Sequence, residues 1–299
     1  MLPRGSTWRI SWGLVLIGVA AALVGCNGLS RPATDRADSS QQRAETPTSR
    51  GSEGPIGPRP APRVRPASPR QVAARAHVPV LTYHQIRNWQ PTDSPAARRL
   101  ITPPRVFAAQ MDAMAHAGYA TITGTRLVEH LLNGAPLPPK PVAVTFDDAS
   151  QGQYANALPI LRHHRFVATF FVMTVVLDKP RWLSRVQVRR LDRLGMTIGA
   201  HTWDHQPVPD YRGGDWRVQL RRPAQELGRL VGHPVRLFAY PYGRWTRAAF
   251  PKLRQAGYVA AFQLVGPMDP TGPRWTIRRI MVAPTWNEAT LLDQIDHSF

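Results

Sequence analysis

The fold is indicated first by residues 142–148, VAVTFDD, a short apolar run that ends in two carboxylates. Two later segments repeat this arrangement. Residues 198–205 have the sequence IGAHTWDH, and residues 237–243 have the sequence LFAYPYG. Each begins with a run typical of a buried strand and continues into polar or aromatic side chains.

Short apolar runs alternate with helical patterns from His77 onward. Strands are predicted at 78–83, 119–122, 142–146, 168–173, 197–200, 237–240 and 258–262, with a last one inside 274–282. Helices are predicted at 104–117, 125–132, 153–163, 184–194, 215–231 and 246–256. C-cap glycines are expected just past four of them, at Gly118, Gly195, Gly232 and Gly257. This order predicts an α/β fold with a parallel sheet, open or closed into a barrel, whose ligands bind at the carboxyl ends of the strands.

The N-terminus has the features of an export signal. Arg4 and Arg9 precede an apolar run over 10–24, which is shorter than the roughly 20 residues of a membrane span. The run ends in LVGC at 23–26, which resembles the lipobox of bacterial lipoproteins and implies acylation of Cys26, the only cysteine. We therefore expect a signal peptide at 1–25 and a cell-envelope protein held in a membrane through lipidated Cys26. Asn27, in place of aspartate, favours the outer membrane, facing the periplasm.

Composition separates a tether from a domain. Residues 26–76 are rich in Arg, Pro and Ser, so a disordered tether is predicted there and a folded domain at 77–299. The net charge is +19, and 11 of the 38 basic residues lie before residue 77. The remaining positive charges are spread over amphipathic segments, so we expect solvated helix faces and no nucleic-acid partner. No particular export-machinery partner is indicated.

Four residues at the predicted strand ends could bind a metal. Asp147 and Asp148 follow one strand, and His201 and His205 follow another. Taken singly, the aspartates could cap a helix and the histidines could be four apart by chance. Together, one carboxylate and two imidazoles can hold a divalent ion with an open coordination position, and the second carboxylate can act as a base on water.

The segments TFDD (145–148), HTWDH (201–205) and FAYPYG (238–243) together resemble the signatures of polysaccharide deacetylases, the NodB-homology group or carbohydrate esterase family 4. The resemblance spans roughly residues 77–290. With LTYHQI at 81–86, it is greatest to the biofilm poly-β-1,6-N-acetylglucosamine deacetylase branch. It implies a distorted (β/α) barrel and metal-dependent hydrolysis of N-acetyl groups on a surface polysaccharide.

The resemblance also implies roles for individual residues. Asp148, His201 and His205 would bind one divalent metal, usually Zn²⁺, with Co²⁺, Ni²⁺ or Fe²⁺ as other options. Asp147 would be the general base, and the backbone N–H of Tyr242 would stabilise the oxyanion.

An aromatic groove would hold the sugar. Tyr240, Pro241, Tyr242 and Trp203 are expected to line it, although a core position for Trp203 is equally open.

Two positions depart from the family pattern. Many members have an arginine that orients the base where this chain has Ala239, and Arg279 is the candidate to replace it, counted here with the substrate-binding residues. The usual late Leu-x-His segment is matched only by Ile295-Asp296-His297 at the extreme C-terminus. His84, after the first strand, is therefore our candidate for the acid that protonates the leaving amine.

Other functions stay open at this point. A peptidoglycan or chitooligosaccharide deacetylase would use the same residues. A non-catalytic polysaccharide-binding module, or a basic adhesin that grips acidic polymers, would belong to a different class. We also expect no second hydrolase domain after the barrel.

Overall fold

The computed structural model describes residues 67–299. The predicted signal peptide, Cys26 and most of the predicted tether therefore lie outside the described residues. Ten strands are present among residues 67–299: β1 (Val80–Tyr83), β2 (Gln85–Ile86), β3 (Ile101–Thr102), β4 (Ala120–Ile122), β5 (Pro141–Phe146), β6 (Thr169–Val172), β7 (Thr197–Ala200), β8 (Leu237–Ala239), β9 (Ala260–Phe262) and β10 (Ile280–Met281).

Helices connect most of these strands. Over the same residues they are α1 (Pro69–Ala74), α2 (Pro95–Arg98), α3 (Pro104–His116), α4 (Gly124–Asn133), α5 (Leu158–His163), α6 (Arg185–Arg193), α7 (Arg222–Val231), α8 (Ala249–Gln255) and α9 (Glu288–His297). Two of them, α5 and α7, directly continue π-helical turns at Gln153–Ala157 and Arg217–Arg221. The four predicted C-cap glycines all have positive φ, as such caps require.

Eight strands form one parallel sheet in the order β10-β1-β5-β6-β7-β8-β9, with β4 also paired to β5. The segment that leads into β10 joins the two ends of this order. Ile277 pairs with Phe262 of β9, and Ile280 pairs with Leu81 of β1. The predicted distorted (β/α) barrel is therefore confirmed.

Two apolar cores follow from the alternation of side chains along the strands. Leu81, Val144 and Phe170 belong to the core between the sheet and its surrounding helices. Their strand neighbours Val80, Ala143 and Phe171 belong to the second core, inside the barrel.

Helix α4 closes the amino-terminal end of the barrel. Its Leu127, Val128 and Leu131 join the interior core. The N–H of Gly124 donates to the Thr169 hydroxyl at 2.7 Å, and a Cβ on Gly124 would lie 2.9 Å from Leu237 Cδ1. Only a glycine lets this helix approach so closely.

The folded domain begins before the predicted boundary at residue 77. Helix α1 starts with a capping box from Ser68 to Gln71, and Val72 is buried in the interior core. Arg75 donates to the Leu131 carbonyl of α4 at 3.1 Å. This short helix packs through one apolar residue and one arginine. Its composition therefore resembles that of the predicted tether, to which it was assigned. Within residues 67–299, no helix is long and apolar enough to cross a bilayer.

Candidate metal centre and active site

The predicted chemical residues meet at the carboxyl ends of the barrel strands. Asp147 and Asp148 directly follow β5, and His201 and His205 lie just after β7. One potential ligand atom from each of Asp148, His201 and His205 lies within 4.8 Å of the others. Parallel strands thus assemble a cluster from segments more than fifty residues apart.

The cluster has the dimensions of a metal site. Asp148 Oδ1 lies 3.4 Å from the Nε2 atom of His201 and 3.4 Å from that of His205. Two donors on a tetrahedral zinc, with bonds of about 2.0–2.2 Å, stand about 3.3–3.6 Å apart. Asp148 Oδ1 is also buried and has no hydrogen-bond partner among the described residues. A buried acceptor left unpaired is costly, and a cation between the three atoms would satisfy it.

The two histidines present the right nitrogens. His201 Nδ1 lies 2.8 Å from the Ala239 carbonyl, to which it donates, so Nε2 is the ring nitrogen that faces Asp148. Burial and the charge of His201 lower the pKa of His205 to about 4. His205 is therefore neutral near neutral pH, the form that binds metals.

Asp147 lies beneath this cluster in a bidentate pair with Arg279. The two guanidinium nitrogens donate to the two carboxylate oxygens at 2.7 and 2.8 Å, and both side chains are almost completely buried. Burial alone would raise the pKa of Asp147, but the charges of Arg279 and His201 outweigh it, and the pKa lies below its usual value. The carboxyl is therefore held ionised.

Arg279 does not fit the substrate-binding group in which we placed it from the sequence. It is 0% exposed, and its remaining donors bond the Gln263 carbonyl and the Thr145 hydroxyl inside the barrel. A buried arginine cannot reach a polymer. Its bidentate contact with Asp147 fits the other role expected from the sequence, that of the arginine that orients the base.

Two glutamines that were not predicted from the sequence support the loops of the site. Gln153 Nε2 donates to the carbonyls of both His84 and Asp147. Gln219 Oε1 accepts from the Trp203 N–H at 3.1 Å, and its Nε2 donates to Asp204 Oδ1 at 2.8 Å, so it fixes the loop between the two histidines.

Both glutamines lie in the π-helical turns that precede α5 and α7. Each turn is followed by a proline in the first turn of the α-helix, Pro159 or Pro223. A proline has no N–H to donate and its ring crowds the carbonyl four residues earlier, which favours a wider turn at that point. A proline inside a predicted helix was thus the available signal.

The backbone is strained around the same cluster. Nine residues other than glycine have positive φ among the described residues, and five of them are Asp148, Ala149, Thr202, His205 and Tyr242. Such conformations cost on the order of 1–3 kcal/mol each and concentrate at functional sites.

His84, the candidate acid, follows β1 at the same end of the barrel. It is half-buried, and its charge contributes to lowering the pKa of both Asp147 and Asp148. His297, by contrast, lies at the end of α9 with 74% of its side chain exposed and pairs with Asp293.

The predicted aromatic groove is only partly present. Tyr240 is 1% exposed and packs edge to face on Phe238, and Pro241 is also buried, so neither offers a face to a sugar. Tyr242 is 61% exposed, with its ring centroid 4.5 Å from that of His205. Trp203 is half-buried, and the Arg222 guanidinium lies 5.0 Å from its ring centroid. Tyr242 is therefore the aromatic side chain beside the metal cluster.

Known proteins share this sequence pattern and this fold. A sequence profile for the family described as "Polysaccharide deacetylase" matches residues 134–261. The chitooligosaccharide deacetylase of Azorhizobium caulinodans is 31% identical over 135 residues, which cover 44% of this chain and 62% of that protein. The poly-β-1,6-N-acetyl-D-glucosamine N-deacetylase of Escherichia coli K12 is 22% identical over 241 residues, which cover 66% and 36%. The chain thus spans less than two thirds of the length of either relative.

The fold is shared with a solved structure, the Streptococcus pyogenes deacetylase PplD in complex with acetate. The TM-score is 0.68 at 24% sequence identity, and the match covers 73% of this chain and 97% of that one. This likeness concerns the fold, and the site residues above are assigned from their own geometry.

Proposed function

We propose that this chain, whose residues 134–261 match the polysaccharide deacetylase family, hydrolyses the N-acetyl groups of N-acetylglucosamine units in a surface polysaccharide. One observation carries the proposal. A cluster of Asp148, His201 and His205 with metal-site spacing lies directly beside a carboxylate that a buried arginine keeps ionised. A binding module would need neither the strained ligand loops nor the buried Asp147–Arg279 pair.

Asp147 is suited to be the general base. Its carboxylate accepts a proton from the water that attacks the acetamide carbon, and the bidentate contact with Arg279 fixes the orientation of the carboxylate. Because Arg279 is held by Gln263 and Thr145, the base does not have to reorganise during the reaction.

Three ligands and an open position are what a catalytic metal site requires. A divalent ion held by Asp148, His201 and His205, in our proposal Zn²⁺, would supply Lewis-acid polarisation of the acetamide carbonyl. The N–H of Tyr242, on a residue with φ of 58°, is our candidate donor to the carbonyl oxygen as it becomes negative. His84 is our candidate to give a proton to the departing amine as the C–N bond breaks, which leaves acetate and a free amine.

Poly-β-1,6-N-acetylglucosamine is the substrate we favour. The LTYHQI and FAYPYG segments support it, and so does the similarity to the Escherichia coli protein that acts on that polymer. Chitooligosaccharides are the second candidate, since a relative at 31% identity is named for them, and peptidoglycan would suit the same residues.

Location is a separate proposal that rests on the sequence alone. The apolar run at 10–24 and the lipobox-like LVGC at 23–26 support a lipoprotein anchored through Cys26 in the outer membrane. The test is fractionation of cells that express the wild type or Cys26→Ala. Membrane association that persists in the variant would refute the anchor.

The activity is tested by acetate release from β-1,6-linked N-acetylglucosamine oligomers by the full chain. The reaction is followed as purified, after treatment with a chelator, and after zinc or cobalt is restored. Asp148→Asn should abolish release, whereas Asp293→Asn, an exposed aspartate on α9, is the matched control and should retain it.

The outcomes separate the candidates. Release that needs metal and is lost only in Asp148→Asn supports the proposed chemistry and substrate. Release from peptidoglycan fragments or chitooligosaccharides alone would refute the β-1,6 polymer and keep the mechanism. No release from any N-acetylated sugar by the metal-loaded chain would refute the enzyme and favour a binding module.

A further inference from the structure

A polar pocket is lined in part by residues 150–152, which closely follow Asp148 of the metal cluster in the chain, and it has none of the roles assigned above. It has a volume of about 490 Å³ and is lined in part by Gln85, Arg87, Asp93, Ser150, Arg181 and Trp182. Ligand pockets for small molecules have volumes of about 300–1,000 Å³, so one sugar unit fits this space. We call it the insert pocket, because one wall comes from the segment between β1 and α3 (the insert, residues 84–103).

The insert is held rigidly. Its short strands β2 and β3 pair with each other, and Arg87 forms a bidentate pair with Asp93 at 2.7 and 2.8 Å. Asn156 donates to the Ile86 carbonyl at 2.7 Å. A pocket built from such fixed contacts exists before any ligand binds, which lowers the entropic cost of binding.

The opposite wall is joined directly to the metal-binding loop. The N–H of Leu183 donates to the Ala149 carbonyl, next to Asp148, and the N–H of Gln151 donates to the Arg181 carbonyl, both at 2.9 Å. On the other side, the Ser150 hydroxyl donates to the His84 carbonyl at 3.3 Å. The segment 148–152 therefore has Asp148 of the metal cluster at one end and lines the insert pocket at the other.

The charge of the pocket favours one kind of neighbour. Arg87 and Asp93 neutralise each other, whereas Arg181 is exposed and has no carboxylate within 4.0 Å among residues 67–299. The pocket therefore carries one uncompensated positive charge. This charge would repel a glucosamine ammonium but would exert no such repulsion on a neutral N-acetylated unit.

We infer that the insert pocket is a subsite for an N-acetylated sugar next to the unit being deacetylated, and that Arg181 selects against a neighbour that is already deacetylated. The inference rests on the proposed function. Its consequence is a spaced pattern of free amines, because each deacetylated unit makes its neighbour a poorer substrate. Trp182, half-buried in the pocket wall, supplies an apolar surface for the sugar ring.

The test uses the full, metal-loaded chain with two oligomers, one fully acetylated and one carrying a single glucosamine next to an acetylated unit. The wild type should prefer the first in kcat/KM. Arg181→Glu replaces repulsion by attraction and should shift this preference towards the second by about fivefold, as expected for an exposed charge pair. Arg190→Glu, on the exposed side of α6, makes the same charge change outside the pocket and should leave the preference unchanged. Mass-spectrometric sequencing of products should show adjacent glucosamines rising only in Arg181→Glu.

Equal preferences in the wild type and Arg181→Glu, with acetate still released, would refute the subsite and leave the proposed function standing. If neither the wild type nor any variant releases acetate, the proposed function fails. Binding of the same oligomers, measured by calorimetry, then tests whether the insert pocket is a sugar subsite. Tighter binding of the acetylated oligomer, reversed in Arg181→Glu and weakened in Trp182→Ala, would support it. If an oligomer that carries a carboxylate binds more tightly than both the fully acetylated oligomer and the one with a glucosamine, a neutral sugar is not the occupant of the pocket.

Discussion

Replacement of Arg279 by methionine tests whether this arginine neutralises the buried carboxylate of Asp147. The variant keeps much of the side-chain volume but removes both contacts with the carboxylate, together with the bonds to Gln263 and Thr145. Asp147 would then be a buried carboxylate that has lost both of its hydrogen-bond donors. We expect a large loss of stability and a loss of acetate release.

The magnitude follows from the burial of both partners. Removing one member of a buried ion pair costs about 3–5 kcal/mol, because the other charge is left uncompensated. For domains of about 150–250 residues, each kcal/mol lowers the melting temperature by about 2–4 °C, so Arg279→Met should melt about 6–20 °C below the wild type. The double variant Asp147→Asn/Arg279→Met should be more stable than the sum of the two single losses predicts, since neither partner is left alone.

Urea and thermal unfolding of the metal-free chain measure these differences without interference from ligand binding. Arg278→Met is the matched control: this arginine is half-buried, with its guanidinium 5.3 Å from the Phe299 ring centroid and no carboxylate partner among the described residues, and its loss should cost less than about 1 kcal/mol. If Arg279→Met and Arg278→Met unfold at the same midpoint, Arg279 does not stabilise Asp147, and the assignment of the base loses its main support.

Three further changes have defined outcomes. Gln219→Leu removes the hydrogen bonds that hold the loop between the two histidines. We expect zinc affinity, measured by competition with a chelator, to fall about tenfold, with little change in the far-UV circular dichroism spectrum. In Gly152→Ala the new Cβ would lie 2.3 Å from the Ile86 carbonyl oxygen, so the unfolding free energy measured in urea should fall by about 1–3 kcal/mol. Gly214 has open space around it, and Gly214→Ala is the control that should leave this free energy almost unchanged. Burial would raise the pKa of Asp269, but hydrogen bonds from Thr271 and Arg247 outweigh it and lower this pKa to about 2. The difference in unfolding free energy between the wild type and Asp269→Asn should therefore be full above about pH 4 and vanish as the pH falls through about 2. A difference that does not change with pH would contradict this.

The barrel could be predicted because its strands are short apolar runs of regular spacing and its helices end in glycines. The clustering of Asp148, His201 and His205 could be predicted for the same reason, since parallel strands bring their carboxyl ends to one edge. Arg279 was identified as a possible replacement for the missing arginine, but its burial under Asp147 depends on which face of its strand looks inward.

Other features depend on contacts that no local pattern encodes. The insert contains two strands of two residues each, too short for any periodicity, and it is defined mainly by the Arg87–Asp93 pair. Tyr240 has the residue type of a sugar platform, yet strand alternation turns it into the core against Phe238. The supporting contacts of Gln219 arise from a helix that widens before Pro223, and this proline is the one local signal of them in the sequence.

The closing of the barrel by α4 has a consequence for the way a long glycan meets the enzyme. Because Leu127 and Leu131 fill the amino-terminal end and the Asp147–Arg279 pair fills the layer above them, the barrel offers no passage along its axis. Under the proposed function, a polymer would lie across the opposite mouth, where Tyr242 is exposed beside His205. Such a crossing requires no free chain end, so the proposed enzyme should deacetylate units in the interior of a polymer as well as those at its termini.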